Sequence, residues 1–400
     1  MLKANEMELP SGTPEEVGMS TEGLNGIDEL MQKFVDDEVI QGAVVGIGRR
    51  GKVAYYEAHG FSDQDTRAPM QRDAMFQMAS STKPILGVAA MMMIEEGLFK
   101  LGDPVEKYIP EFKDIKVAVL KEPADEDISP EWVFKDIPEY RLVDVHRPLT
   151  IHDLLTHTSG LASSGLGSAV AKWKRGPEEI LETWIPQVAA GPLDFQPGTR
   201  WAYSGTVGLD VVARIIEIVS GQRFNEFVQK RIFDPLDMKD TCWNLPKEKV
   251  SRLVVIRGDK KSWQKPTGYF SGSYLIISSA RDYMRFEQML VNGGILFGNR
   301  LISEESVALM STNKVGDLYG NVDKGGKTKG VGFGYTVGIT IDPLLANSPR
   351  GEGTCGWGVA AGTVSWSEPK RELTVVLMVQ QPTQEVPNEL AKAVSAAITD

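Results

Sequence analysis

The chain has 400 residues, 42% of them apolar and 24% charged, with a formal net charge of −11 from 54 acidic and 43 basic side chains. This describes a globular protein with core enough for two domains or one large composite. The acidic balance argues against nucleic acid and anionic membranes as partners, since both reward basic surfaces. Two cysteines, Cys242 and Cys355, are too few for a disulfide framework, and His59, His146, His152 and His157 form no metal-binding spacing. The N-terminus lacks the apolar stretch of a secretory signal and no apolar run reaches about 18 residues, so a cytoplasmic protein without a membrane span is expected.

Residues 21–35 place Leu24, Ile27, Leu30, Met31 and Phe34 at helical spacing, with Ser20 as N-cap and Glu22 in the first turn. Two strand-like runs follow, 42–49 and 52–59, joined by a hairpin turn at Arg50-Gly51. Residues 78–97 then set a polar cluster, Ser80-Ser81-Thr82-Lys83, at the head of a dozen mostly apolar residues ended by Gly97. No polar face interrupts residues 85–94, so this reads as a helix buried all round. Its polar first turn must open into a cleft, or Lys83 is buried at high cost.

Asp103-Pro104-Val105 opens one helical turn. Residues 113–146 are rich in charge and proline, with Pro123, Pro130, Pro138 and the acidic run Asp125-Glu126-Asp127. They are expected to form an irregular, exposed excursion, a candidate flap over a cleft. Thr150 caps a short helix through Leu155, with Asp153 completing a capping-box variant. Residues 206–220 form a strong helix ended by Gly221, and 224–232 a shorter one. Helices are expected again at 279–290 and 303–310. Strands return at 332–341, 354–366 and 372–380, and an amphipathic helix closes the chain over 388–398.

Strands at both ends with helices between them point to an α+β fold: one antiparallel sheet built from the N- and C-terminal segments, flanked by helices, with a mainly helical domain inserted. Residues 1–97 and 270–400 would form the composite sheet domain and 98–269 the helical one, with the active site in the cleft between them.

Ser80 and Lys83 are three apart, which on a helix puts both side chains on one face, about 5–6 Å apart at Cβ. A serine hydroxyl needs a base to become a nucleophile, and a desolvated lysine is one. The S-x-x-K spacing also occurs at Ser262/Lys265, Ser311/Lys314 and Ser367/Lys370, but only Ser80 begins a buried helix. Taken alone, the pair reads equally well as an N-cap serine and a lysine reaching for solvent. No serine sits in the G-x-S-x-G elbow of α/β-hydrolases. His157, beside Ser159, reads better as part of a structural loop than as a base.

Six stretches taken together resemble the serine β-lactamase-like superfamily, which includes class C β-lactamases, penicillin-binding proteins, D-aminopeptidases and the family VIII carboxylesterases. They are 76–83 (FQMASSTK), 103–112 (DPVEKYIPEF), 154–161 (LLTHTSGL), 196–204 (QPGTRWAYS), 234–238 (DPLDM) and 356–363 (GWGVAAGT). The resemblance implies Ser80 as nucleophile, with Lys83 and the tyrosine of Tyr203-Ser204-Gly205 as its catalytic partners. It implies an oxyanion hole from the backbone N–H groups of Ser80 and Ala360. Trp357-Gly358-Val359 stands where class C enzymes carry K-T-G, and Gly205 where they carry an asparagine. Lys327-Thr328-Lys329 comes one strand too early and lacks the glycine.

The loss of a cation and an amide donor favours neutral, apolar acyl substrates over β-lactams, with Trp357 as an apolar wall. The resemblance therefore implies a carboxylesterase working on a small-molecule ester through an acyl-serine, without cofactor or metal, as monomer or dimer. Alternatives are a β-lactamase, a D-amino-acid amidase or peptidase, an acyltransferase of the same fold, or a non-catalytic binding protein.

Overall fold

The computed structural model describes residues 7–122, 137–255, 265–319, 329–358 and 362–400. Helix α1 (Thr21–Asp36) starts at Ser20, whose side chain accepts from the Gly23 N–H. Strands β1 (Gly42–Arg49) and β2 (Lys52–Asp63) form the expected hairpin, and Arg50 (φ 51°) and Gly51 (φ 74°) supply the left-handed pair of a tight turn. Short strands β3 (Ala68–Pro69) and β4 (Met75–Gln77) lead into α2 (Thr82–Glu95). All residues of α2 up to Met93 are buried, as its uninterrupted apolar run requires.

The 113–146 stretch departs from the irregular excursion expected. Its described ends pair as an antiparallel ribbon, β5 (Lys116–Leu120) with β6 (Tyr140–Asp144), and Val117 and Ala118 of β5 are buried. The remainder, 123–136 with its acidic run, lies outside the described residues. Helix α3 (Ile151–Leu155) carries the Thr150/Asp153 capping box. Helices α4 (Leu166–Ala171) and α5 (Leu181–Val188) were not expected from the sequence; α4 has one and a half turns and α5 contains Pro186. Helix α6 (Gly208–Ser220) ends at Gly221 (φ 66°), and α7 (Phe224–Val228) runs on into a π-helical turn.

Strand β7 (Ile277–Ser279) pairs with β4, and helix α8 (Ala280–Val291) is capped by Ser279. The ribbon of β8 (Ile295–Leu296) and β9 (Asn299–Arg300) precedes α9 (Glu304–Met310). The two longest runs read as single strands are each two. Residues 332–341 split into β10 (Val331–Phe333) and β11 (Gly338–Thr340), with Thr336 at φ 69° in the turn between them. Residues 354–366 split into β12 (Cys355–Gly358) and β13 (Val364–Glu368). Strand β14 (Leu373–Val379) and helix α10 (Glu385–Ala397) end the chain.

The described residues form an eight-stranded sheet in the order β10-β11-β12-β13-β14-β1-β2-β3, antiparallel throughout. Three strands come from one end of the chain and five from the other, as the sequence indicated. The central strands β1 and β14 are buried along their whole length, which explains their continuous apolar runs. Helices α1 and α10 cover one face, sharing a core with Val45, Ile47 and Trp366, and α8 covers the other. A Cβ at Gly46 of β1 would lie 2.2 Å from the Met284 sulfur, so a glycine there lets α8 sit close on the sheet. A second, larger core joins α2, α5 and α6 to α8.

Candidate active site

Ser80 does not lie on α2. It occupies a 3-10 turn, Ala79–Ser81, that feeds the helix. Ala79 is at φ 39°, a left-handed conformation that costs a non-glycine residue about 1–2 kcal/mol. The surroundings hold the turn in that shape. The Met78 N–H donates to the Ile276 carbonyl (2.9 Å), the Thr82 hydroxyl to the Ala79 carbonyl (2.7 Å), and the Tyr283 hydroxyl to the Ser81 carbonyl (2.7 Å). Ser80 itself is half-buried, open to a reactant.

Lys83, in the first turn of α2, is fully buried. Its Nζ stands 3.1 Å from Ser80 Oγ, 3.0 Å from the Gly205 carbonyl and 2.8 Å from the Ser273 carbonyl. Among the described residues no carboxylate lies within ion-pair distance of it. Burial pushes the Lys83 ammonium below the usual lysine range, while Tyr203 and Asp210 pull it back up.

Tyr203 reaches the same serine from the other side, with its hydroxyl 2.6 Å from Ser80 Oγ. The ring is held by its neighbours: His157 at 4.9 Å between centroids, Trp357 at 5.5 Å, and Trp201 stacked at 6.3 Å. The flanking backbone is tied to one residue, since the Ala202 N–H donates to the His157 carbonyl and the Ser204 N–H to His157 Nδ1. His157 is thus a structural neighbour of the tyrosine. Complete burial, with the Lys83 charge nearby, keeps its imidazole far below the usual histidine range and therefore neutral. The Ser159 hydroxyl accepts from the Leu161 N–H, as expected of a structural loop.

Ser80, Lys83 and Tyr203 are therefore brought together as the sequence motifs implied. The two Lys83–carbonyl bonds occupy two N–H donors. The third position on Nζ faces Ser80 Oγ, which can accept a proton from an ammonium or donate one to a neutral amine. Tyr203 stands in the same relation to Ser80. The three groups form one hydrogen-bonded cluster centred on Ser80 Oγ.

Trp357 on β12 is half-buried, and its ring meets Tyr203 and, edge-on at 5.3 Å, Phe333. Its neighbour Gly358 is exposed. Gly205 contributes its carbonyl to the lysine. Val359 and Ala360 lie outside the described residues, as do Lys327, Thr328 and Ser262 of the competing motifs. Sequence reasoning missed the carbonyl of Ser273 and the carboxylate of Asp210. The carbonyl leaves no signature in the side-chain pattern. Asp210 does, as a lone acid in the apolar run that opens α6.

The chain is similar to known esterases along most of its length. EstB, an esterase of Burkholderia gladioli, is 27% identical over 410 residues, spanning 93% of this chain and 94% of its own. Lovastatin esterase of Penicillium rubens is 29% identical over 374 residues, 85% of this chain and 88% of that one. Among solved structures, EstCE1, described as a hydrolase with promiscuous acyltransferase activity, superposes with a TM-score of 0.76 at 23% identity, covering 95% of this chain and 99% of its own. The family described as Beta-lactamase matches residues 27–398, and the chain belongs to that family.

Proposed function

We propose that the chain is a serine hydrolase that cleaves neutral carboxylic esters of short to medium acyl length through an acyl-serine, in the manner of the family VIII carboxylesterases. The observation that carries this reading is the placement of Ser80 Oγ within hydrogen-bond reach of both Lys83 Nζ and Tyr203 Oη. The esterase relatives EstB and lovastatin esterase, matched along most of their length, support the substrate class. So does the replacement of a lysine by Trp357 and of an asparagine by Gly205.

In the first half-reaction Ser80 Oγ bonds to the ester carbonyl carbon while its proton passes to the Lys83/Tyr203 pair. The oxyanion is received by backbone N–H groups, for which Ser80 and Ala360 are the candidates. As the intermediate collapses, the carbon–alkoxy bond breaks and the same proton leaves with the alcohol. Water then attacks the acyl-serine, gives a proton to the pair, and releases the acid and Ser80. The cleft would lie between the composite sheet domain and the 98–269 insertion, because Ser80 and Trp357 come from the former and Tyr203 from the latter.

The test is an ester panel of increasing acyl length with nitrocefin and a D-alanine amide alongside, on the parent and on Ser80→Ala. Parent turnover should be highest on esters and absent in the variant, and a fluorophosphonate probe should label only the parent. Near-parental ester hydrolysis by Ser80→Ala would overturn the assignment. Nitrocefin or amide turnover exceeding that of the esters would place the enzyme with the β-lactamases or peptidases.

A further inference from the structure

A carboxylate that the proposed chemistry does not use stands behind the lysine. Asp210, in the first turn of α6, is 1% exposed. Among the described residues no cation lies within ion-pair distance of it. It is held by three donors: the Tyr269 hydroxyl at 2.6 Å, the Ser271 hydroxyl at 2.7 Å and the Ser273 N–H at 3.0 Å. The Ser271 hydroxyl already accepts from the N–H groups of Ser273 and Tyr274. Its single hydrogen is therefore committed to Asp210. Burial raises the Asp210 carboxyl above the usual range, and the three donors oppose that rise by favouring the ionised form.

The same three residues belong to the segment that ends on Lys83. Ser273 gives its N–H to Asp210 and its carbonyl to Lys83 Nζ. Gly272 allows this threading, since a Cβ there would lie 2.5 Å from Leu86 on α2 and 3.0 Å from Ala213 on α6. A buried ammonium surrounded only by neutral acceptors lacks a countercharge. Asp210 is the acidic side chain whose charge acts on Lys83, reached through one residue rather than by contact.

We propose that Asp210 is a positioning residue of the proposed ester hydrolysis: it fixes the 269–273 segment so that the Ser273 carbonyl holds Lys83, and it supplies the buried negative charge that faces the Lys83 ammonium across Ser273. The inference rests on the acyl-serine reading. The ionisable groups facing Lys83 are Tyr203, His157 and Asp210. Those facing Asp210 are Tyr269, Tyr274 and Lys83, with the Arg175 guanidinium stacked on the Tyr269 ring at 4.2 Å. A negative charge at Asp210 favours the protonated form of Lys83.

The experiment is the pH profile of kcat/KM for a p-nitrophenyl ester, with the pH dependence of fluorophosphonate labelling of Ser80 as a second readout. In Asp210→Asn both limbs should move to lower pH, by roughly one unit. Ser271→Ala, which removes one donor but leaves the carboxylate, should lower the rate and move the acid limb the same way by less. Asp210→Glu should restore the limbs more fully than the rate. Should Asp210→Asn not fold, Tyr269→Phe carries the test: its carboxylate, short of a donor, takes a proton more readily, and the acid limb moves the same way by less. A profile unmoved in a folded Asp210→Asn, with the rate reduced equally at every pH, would overturn the proposal. A parent enzyme with no Ser80-dependent esterase activity would instead overturn the reading on which it rests.

Discussion

Tyr203→Phe removes one oxygen atom and nothing else. The ring contacts with His157, Trp357 and Trp201 survive, because they are made by carbon atoms of the ring. Among the described residues the variant loses the 2.6 Å hydrogen bond to Ser80 and the hydroxyl's interaction with Lys83. In the resting protein that bond is worth about 1 kcal/mol of stability, so the urea midpoint should barely move. In the proposed mechanism the same oxygen helps carry a proton between nucleophile and leaving group, and losing such a group costs roughly 10²–10⁴ in rate, or about 3–5.5 kcal/mol of barrier. Activity and stability should therefore separate by several kilocalories. The assay is steady-state hydrolysis of a short-chain p-nitrophenyl ester, with the fold followed by circular dichroism. Turnover within tenfold of the parent at unchanged KM would refute the role given to Tyr203, and equal losses in activity and stability would show that the hydroxyl is structural.

Glu287, fully buried on α8, accepts from the Ser365 and Ser367 hydroxyls of β13 at 2.5 Å each, yet burial pushes its carboxyl up to about 7. A carboxyl raised on folding contributes stability that is complete below its unfolded value of 4.5 and lost as pH rises through about 7. Glu287→Gln should therefore gain on the parent by about 3 kcal/mol between pH 4 and pH 8 in urea unfolding; a difference that does not change with pH would contradict this. Gly272→Ala should destabilise by about 1–3 kcal/mol through the clash with Leu86 and reduce turnover as well, and an unshifted urea midpoint would show that α2 and α6 yield freely there. Trp357→Ala should lower the preference for medium over acetyl esters roughly tenfold in kcat/KM. An unchanged preference across the ester series would remove Trp357 from the acyl-binding wall.

Elements whose sequence carries both a period and a cap were legible. Helix α1 with Ser20, α3 with Thr150 and Asp153, and α6 with Gly221 fall within about two residues of expectation. What failed was local backbone geometry that tertiary contacts impose. Nothing in the run 78–83 announces that Ala79 is left-handed. That conformation follows from hydrogen bonds supplied by Ile276 and Tyr283, nearly 200 positions away. Likewise Thr336 turns the chain inside an apolar run that reads as one strand. At the site, the motif side chains were legible, while the carbonyls and the Asp210 carboxylate were not. Ser80, Lys83 and Tyr203 stand out by motif, whereas Gly205 and Ser273 act through atoms that every residue possesses.

That last point bears on how the site tolerates change. Two of the three acceptors on Lys83 are main-chain oxygens, and no substitution at positions 205 or 273 deletes them. Sequence drift at those two positions can alter the shape of the cleft, and with it the substrates admitted, while the lysine keeps its seat. Selection for a new specificity can thus act on residues adjoining the reacting atoms without dismantling the chemistry, and relatives with different substrates need not share side chains there.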